Sequence, residues 1–381
     1  MPHNKNEIMN IGIDVKTLAK PYTGIAIYVH DILMYFNKLN HEDEFYLYSN
    51  RDFELDFHLN GNFHKVIYKS ITGSFGVMFQ LSRLLKRDKI DVFWGTEHCL
   101  VLGRHPFKQI VTIHDLAVLR NPKVGTRYNA YLQRIMTIPA CKRADKIIAI
   151  SEATKEDIIS LSHVSPSKIK VIYNGDSPYT GKQPSYSSTF AHNVFVDYGI
   201  VPNEYFLFVG SIEPRKNIST IVKAYNQYRN NRGTKKLVLA GGLGWRYKAI
   251  LRDIENSPFS RDIVQTGYCT PELKEFLYRN ANALLFPSLW EGFGFPIVEA
   301  MSVGTPVITA NISSMPEIAG KAALYIANPL DYKSLCHEME HIEQMEGKEL
   351  EQLKERGYVQ AKLFSREQCA QEILATIHQL V

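Results

Sequence analysis

The chain has 381 residues, 45% hydrophobic and 22% charged, with a formal charge of +5, which points to two globular domains and excludes a disordered or fibrous chain. Its longest apolar runs are strand-length and residues 1–7 are polar, so neither a membrane-spanning helix nor a signal peptide is expected. Five scattered cysteines without a C-x-x-C pair argue for a reducing cytoplasm and against a disulfide framework or a zinc site.

Residues 10–15 read as a strand and Lys20-Pro21-Tyr22-Thr23-Gly24 as a turn. Ile25, Val29, Ile32, Leu33 and Phe36 then recur at helical spacing, so a helix runs to about residue 40. Strand, glycine turn and helix open a doubly wound α/β sheet, whose ligands sit beyond the carboxyl ends of its strands. The turn lacks G-x-G-x-x-G, which argues against a nicotinamide or flavin cofactor. Residues 44–49 and 63–70 read as two more strands. Residues 73–89 and 127–143 read as basic amphipathic helices in the half that carries the charge excess. Residues 1–190 hold 24 Lys and Arg against 18 Asp and Glu, and the remainder 20 against 21. Such helices bury one face and solvate the other, and their basic and aromatic residues also suit an anionic lipid surface.

Residues 109–113 form a buried strand that ends in His114-Asp115, placing two polar groups at the crevice of an open sheet. Residues 146–150 follow as a strand, with Ser151-Glu152 capping a helix to about residue 161. Residues 169–173 are extended. The Pro, Gly, Ser and Thr cluster at 177–193 reads as an interdomain linker. The second half repeats the alternation, with strands at 205–211, 236–240, 263–268, 283–287, 306–310 and 324–327, a helix at 217–231 and a helical tail over 331–381.

Two stretches of this half carry chemistry. Arg215-Lys216 fall between a strand end and a helix start. Two cations beside helix amides would bind a diphosphate and stabilise it as a leaving group, or else form a solvated surface pair. Downstream, the apolar strand 283–287 runs into Trp290-Glu291-Gly292-Phe293-Gly294-Phe295-Pro296-Ile297-Val298-Glu299-Ala300. Its two glycines open a tight loop, and Pro296 fits the first turn of a helix that Gly304 and Pro306 end. Exposed amides at such a helix start form an anion site. Glu291 and Glu299 would repel an anion, so they are expected to accept hydrogen bonds from sugar or ribose hydroxyls; alternatively Glu299 complements the helix dipole and Glu291 is solvated.

Glu291 and Glu299, seven residues apart, resemble the E-x7-E motif of retaining glycosyltransferases of the GT4 family. The flanking Pro287-Ser288, Glu291-Gly292-Phe293-Gly294 and Gly304-Thr305-Pro306-Val307 match in order, as does Phe208-Val209-Gly210-Ser211-Ile212-Glu213-Pro214-Arg215-Lys216-Asn217 upstream. The resemblance implies the GT-B fold: two Rossmann-like doubly wound α/β domains facing a central cleft. The expected division is an acceptor-binding domain over 1–185, a nucleotide-sugar donor domain over 186–364, and a C-terminal helix over 365–381 that crosses back to the first. It further implies that Gly24 faces the donor diphosphate and acceptor, that His114 faces the reacting sugar, and that Tyr268 and Leu273 line the nucleobase pocket. Ser211, Arg215, Lys216 and the 292–295 amides would hold the diphosphate, Glu299 the ribose and Glu291 a sugar hydroxyl. Catalysis would rest on Glu291, His114, Arg215 and Lys216. Asn174-Gly175-Asp176 is one residue shorter than the family's corresponding segment, so no role is carried onto Asp176.

The implied reaction is transfer of a hexose from a nucleotide diphosphate to a hydroxyl with retention. No carboxylate pair is placed as in hydrolases, which leaves a front-side mechanism as the expectation. The 293–300 wording is most similar to mannosyltransferases of bacterial O-polysaccharide assembly, which makes GDP-mannose the first expected donor and a lipid-linked or growing saccharide the expected acceptor. UDP-N-acetylglucosamine, UDP-glucose or a deoxyhexose donor is the alternative. An epimerase or phosphorylase of similar fold, and a non-catalytic sugar- or nucleotide-binding protein, are the competing classes. No D-x-D signature is present and the acidic run at 52–56 reads as a solvated turn, so no metal or cofactor is expected and activity should survive EDTA. The expected place is the cytoplasm, at the inner face of the cytoplasmic membrane, with no nucleic-acid partner. Glu291→Ala and Lys216→Ala are expected to cut transfer by orders of magnitude and leave the melting temperature nearly unchanged.

Overall fold

A computed structural model describes residues 8–19, 24–69, 74–120, 124–125 and 127–381. The chain forms two compact units, residues 1–175 with 364–381, and residues 176–363. The division falls before the boundary expected near residue 185.

The first unit is built on a parallel seven-stranded sheet. Its strands are β1 (Asn10–Asp14), β2 (Glu44–Ser49), β3 (Phe63–Ile67), β4 (Val92–Gly95), β5 (Lys108–Ile113), β6 (Lys146–Ala149) and β7 (Ile169–Val171), in the order β3-β2-β1-β4-β5-β6-β7. Register sets Ile13 between Leu47 of β2 and Trp94 of β4. Period-two alternation sorts the side chains onto two faces. Leu47, Trp94 and Ile148 join one apolar cluster, while Tyr48, Phe93 and Ile147 join the other. Both faces are covered by helices, which is why the strands read as continuous apolar runs.

The helix Arg366–His378 completes the first of these clusters, burying Cys369, Ala370, Ile373 and Ile377 beside Phe36 of the helix Gly24–Leu39. Each fully buried isoleucine contributes about 1.5–3 kcal/mol. Arg366 pairs with Asp31 at 2.7 Å and His378 with Asp43 at 2.7 Å, which sets the helix's angle and register.

The second unit holds six parallel strands: β8 (Tyr205–Val209), β9 (Lys236–Ala240), β10 (Ile263–Gly267), β11 (Ala283–Phe286), β12 (Val307–Ala310) and β13 (Leu324–Ile326). Their order is β10-β9-β8-β11-β12-β13. In each sheet the strand order reverses beside its first strand, at β1/β4 and at β8/β11. Ligands of such sheets bind at this reversal, outside the carboxyl ends.

Several expectations need correcting. Part of the stretch expected as a linker, 177–193, is helical: Ser188–Tyr198 is a helix. Ser187 caps it by accepting from the Phe190 amide at 3.1 Å, and Phe195 packs on Phe276 with ring centroids 4.8 Å apart. The serines that suggested a loop are the cap of an ordered element. β4 has only four residues behind a charged turn, too short for periodicity to show. The basic segment 127–143 is not one α-helix: Gln133–Thr137 is a π-helical turn between Arg127–Leu132 and Ile138–Arg143. β3 ends at Ile67, and the tail is three separate helices, Tyr332–Gln344, Gly347–Ala361 and Arg366–His378. Residues 20–23 of the expected glycine turn and 70–73 of the lead-in to the first basic helix lie outside the described residues.

Candidate active site

The carboxyl ends of β8 and β11 set the geometry. β8 leaves the sheet through Gly210, which is crossed by the exit of β9: a Cβ on Gly241 would lie 2.0 Å from the Gly210 carbonyl oxygen. Only glycine permits this crossing. Beyond it, Pro214–Lys216 form one 3-10 turn, ended by Asn217 in a left-handed conformation (φ 61°). Asn217 does not cap the helix Ile218–Asn230 with its side chain. Its Nδ2 instead donates to the carbonyls of Pro287 (2.9 Å) and Pro329 (2.6 Å), and the Leu289 amide donates to the Arg215 carbonyl at 2.8 Å. The cationic turn and the loop after β11 are thus stitched together by the Asn217 side chain and one backbone bond.

This stitching gathers three of the predicted residues. Arg215 Nη1 donates to Glu291 Oε2 at 2.7 Å and to the Trp290 carbonyl at 3.1 Å, and Lys216 Nζ donates to Glu291 Oε1 at 2.6 Å. Arg215 also pairs with Glu213 at 3.2 Å. Burial alone would push the Glu291 carboxyl up, but the Arg215 and Lys216 charges outweigh it and hold the group down at about 2. Burial and the adjacent guanidinium pull Lys216 below its ordinary value, opposed by Glu291. The Glu291 carboxyl is therefore ionised at neutral pH. Glu291 was expected to face a sugar hydroxyl; each of its oxygens is engaged by a cation.

The loop after Glu291 is fixed by two serines that sequence reasoning did not single out. Ser313 Oγ donates to the Glu291 carbonyl at 2.6 Å, and the buried Ser314 Oγ reaches the Glu291 (3.0 Å) and Phe293 (2.9 Å) carbonyls. They lie about twenty residues downstream, past β12, so no local pattern could reveal them. Phe293 is buried against Phe295, with ring centroids 5.2 Å apart. Gly294, at φ 104°, starts the helix Phe295–Ser302, with Pro296 in its first turn and no side chain capping it. Pro296 has no N–H and the Ile297 amide donates to the Gly294 carbonyl at 2.9 Å, so the Phe295 amide and the helix dipole carry the partial positive charge of this helix start.

Glu299 lies on this helix but belongs to a different set of contacts. It accepts from Lys274 Nζ at 2.7 Å and from Tyr278 Oη at 2.8 Å. Tyr278 is fully buried, so the hydroxyl contact ties the carboxylate to the core. Leu273 is buried and its amide is taken by Thr270, the cap of the helix Pro271–Asn280, whereas the Tyr268 ring is 76% exposed. Ser211 is exposed and Gly292 buried.

His114 and Gly24 belong to the first unit. His114 follows β5, and its Nε2 donates to the Thr96 carbonyl at 2.8 Å, which leaves the lone pair on Nδ1. Burial pushes the imidazole down to about 4, so it is neutral at pH 7. Asp115 turns back to accept from the Ala117 amide at 3.2 Å. Gly24 is the exposed first residue of its helix, with open space where a Cβ would stand. Among the described residues no group of three or more His, Cys, Asp or Glu is arranged to hold a metal ion, and no helix is long and apolar enough to cross a membrane.

The chain is similar to known proteins. Residues 195–360 match the family described as Glycosyl transferases group 1, and residues 22–176 match Glycosyltransferase Family 4. The chain is 29% identical over 272 residues to O-antigen chain mannosyltransferase B of Escherichia coli, covering 70% of this chain and 69% of that protein. It is 28% identical over 268 residues to O-antigen chain mannosyltransferase RfbU of Salmonella typhimurium, covering 69% and 67%. Among solved structures, sucrose-phosphate synthase from Thermosynechococcus elongatus superposes with a TM-score of 0.77 at 18% identity, covering 98% of this chain and 99% of that one. Anabaena Alr3699/HepE in complex with UDP and glucose superposes with a TM-score of 0.75 at 16% identity, covering 98% and 100%.

Proposed function

Because this chain belongs to the family 4, group 1 glycosyltransferases of GT-B fold, we propose that it transfers mannose from GDP-mannose, with retention, to a lipid-linked or growing saccharide of O-polysaccharide assembly. The observation that carries the reading is the Arg215–Lys216–Glu291 cluster at the β8/β11 reversal, beside the uncapped start of the helix Phe295–Ser302. The mannosyl donor is supported by the names of the O-antigen relatives.

The departing diphosphate takes positive charge from Arg215, Lys216 and the helix amides, where low dielectric strengthens each contact. Lys216 has three donor protons and gives one to Glu291, so it can add phosphate oxygens without losing its carboxylate partner. Glu291 is a strongly acidic carboxylate gripped by two cations, which suits an electrostatic and positioning role and not that of a nucleophile. This is why retention is assigned to a front-side path in which the leaving diphosphate assists the incoming hydroxyl. Glu299 receives the ribose hydroxyls. The paired cations take the electrostatic part that a divalent metal plays elsewhere.

The test is nucleotide release from a donor panel with and without a saccharide acceptor. GDP-mannose should turn over in an acceptor-dependent manner. Turnover with UDP-glucose, UDP-N-acetylglucosamine or a deoxyhexose nucleotide in its place would reassign the donor, a reading favoured by the UDP complex of the Anabaena neighbour. Turnover that needs no acceptor, or needs only phosphate, would reject transfer to a sugar hydroxyl.

A further inference from the structure

The second unit contains a cavity of about 270 Å³ that none of the residues assigned to the active site lines. It lies against Ser302 and Val303, at the C-terminal end of the helix Phe295–Ser302. The 8 residues of that helix, about 12 Å at 1.5 Å each, separate it from the helix start at Gly294. The wall is completed by the turn 179–182, by Arg279 near the end of the helix Pro271–Asn280, and by Tyr358 and Lys362 at the end of the helix Gly347–Ala361.

The turn is wound by two short-range bonds. The Thr180 amide donates to the Ser177 carbonyl and the Lys182 amide to the Tyr179 carbonyl, both at 3.2 Å, with Gly181 left-handed at φ 66°. Arg279 Nη2 fastens the turn by donating to the Lys182 carbonyl at 2.9 Å. Thr180 Oγ1 is shielded from solvent and has no hydrogen-bond partner among the described residues. Buried polar atoms are nearly always paired, so an orphan hydroxyl on a cavity wall marks a group whose partner is a ligand.

The charges define the ligand. Lys182, Arg279 and Lys362 line the cavity, and among the described residues no carboxylate does. The carboxylate that Arg279 Nε reaches at 2.8 Å, Glu275, is also taken by the amide and hydroxyl of Ser185. Lys182 Nζ and Lys362 Nζ have no partner among the described residues. Basic residues at helix ends can simply answer the helix dipoles, and three helices end here. Each end carries about half a negative charge, so together they offset about −1.5 of the three positive charges. An excess of about +1.5 remains, and a phosphate monoester at pH 7 carries about −1.5 to −2. Its oxygens accept from ammonium and guanidinium groups in short, charge-assisted bonds, and from the Thr180 hydroxyl. The volume is below the roughly 300–1,000 Å³ of sites for drug-sized ligands, which excludes a whole sugar nucleotide.

We propose that this cavity is a second anion site, which binds a phosphate dianion, free or as the monoester of a small sugar, through Lys182, Arg279, Lys362 and Thr180. It is separate from the Arg215–Lys216 cluster, and its occupancy does not rest on the transferase reading above.

The experiment titrates inorganic phosphate into the full chain by calorimetry, with chloride holding the ionic strength constant. Phosphate also reaches Arg215 and Lys216, so the titration is repeated in Lys216→Met with Glu291→Met, which removes that competitor. One phosphate should still bind in this background. Lys182→Ala or Lys362→Ala should weaken it at least about fivefold, and the two together should abolish it. Both lysines are exposed, so their replacement leaves the core intact, and melting curves check that each variant is folded. Thr180→Val should weaken binding less than either lysine change, and Lys362→Arg should retain it. α-D-Mannose 1-phosphate and methyl α-D-mannopyranoside separate the sources. An ester that binds more tightly than phosphate identifies a sugar monoester, and one that binds equally or less tightly identifies free phosphate. Absence of phosphate binding in the background chain, binding that survives Lys182→Ala with Lys362→Ala, or a glycoside that binds as tightly as the ester would overturn the proposal. Phosphate bound through Lys182 and Lys362 in a protein that turns over no sugar nucleotide would uphold the site while rejecting the transferase reading.

Discussion

Lys216 and Glu291 meet at 2.6 Å with side chains only 11% and 7% exposed, and Arg215 reaches the same carboxylate from its other oxygen. Removing one member of such a group strands the others' charge in a poorly solvated place, at a cost of about 3–5 kcal/mol. Glu291→Ala should therefore lose both transfer and stability, which reverses the expectation from sequence that melting would barely change. Glu291→Met combined with Lys216→Met should regain much of the stability and none of the activity. Urea denaturation beside nucleotide-release assays checks this; a Glu291→Ala chain as stable as wild type would show the pair to be an incidental contact.

Acid should act through the same carboxylate. Its folded value of about 2 lies below the 4.5 of an unperturbed glutamate. A lowered carboxyl contributes stability that is full above the unfolded value and is lost as pH falls towards the folded one. Between about pH 5 and pH 2 the wild type should weaken more steeply than Glu291→Gln. Parallel denaturation midpoints for the two proteins across that range would remove Glu291 as the cause.

Ser314 is a second lever on the site. Ser314→Ala deletes the donor shared by the Glu291 and Phe293 carbonyls, while the Glu291 carbonyl keeps Ser313. The expected cost is about 1–3 kcal/mol. A looser 291–294 loop should lower kcat as well, with the donor KM moving less. Full kcat in a folded Ser314→Ala enzyme would mean that Ser313 alone secures the loop.

In the proposed mechanism Arg215 and Lys216 supply the charge at the leaving group that a divalent ion would otherwise supply. Turnover should be unchanged after dialysis against EDTA. Complete loss, restored by Mg2+ or Mn2+, would place a metal where the two basic side chains are assigned.

The basic helix Ser74–Arg87 exposes Phe79, with the Arg83 guanidinium 4.6 Å from its ring centroid, and Tyr128 and Tyr131 are exposed on the second basic segment. These suit weak attachment to an anionic bilayer. Flotation with phosphatidylglycerol vesicles should show salt-sensitive binding that falls about fivefold for each basic residue removed. Binding that persists in Phe79→Ser with Arg83→Glu would locate the contact elsewhere.

What was legible in the sequence follows from range. Arg215, Lys216 and Glu291 were found because each sits within a few residues of a strand end, a glycine or a helix start, signals that are local. The strands showed because burial on both faces made them continuous apolar runs. Ser313 and Ser314 act across a whole β-α-β unit, and the partners of Glu299, Lys274 and Tyr278, come from a neighbouring helix; nothing near Glu299 announces them. β4 and the helix Ser188–Tyr198 were missed for opposite reasons, one too short for a period to register and the other introduced by residues that resemble a loop.

The placement of Arg366–His378 has a consequence for biosynthesis. Cys369, Ala370, Ile373 and Ile377 belong to a core whose other members are finished before residue 176. During translation the first unit must wait, that core incomplete, while the whole second unit is made, roughly 10–40 s at ~5–20 residues per second. A chain ended before residue 366 would lack the four buried side chains that close this core.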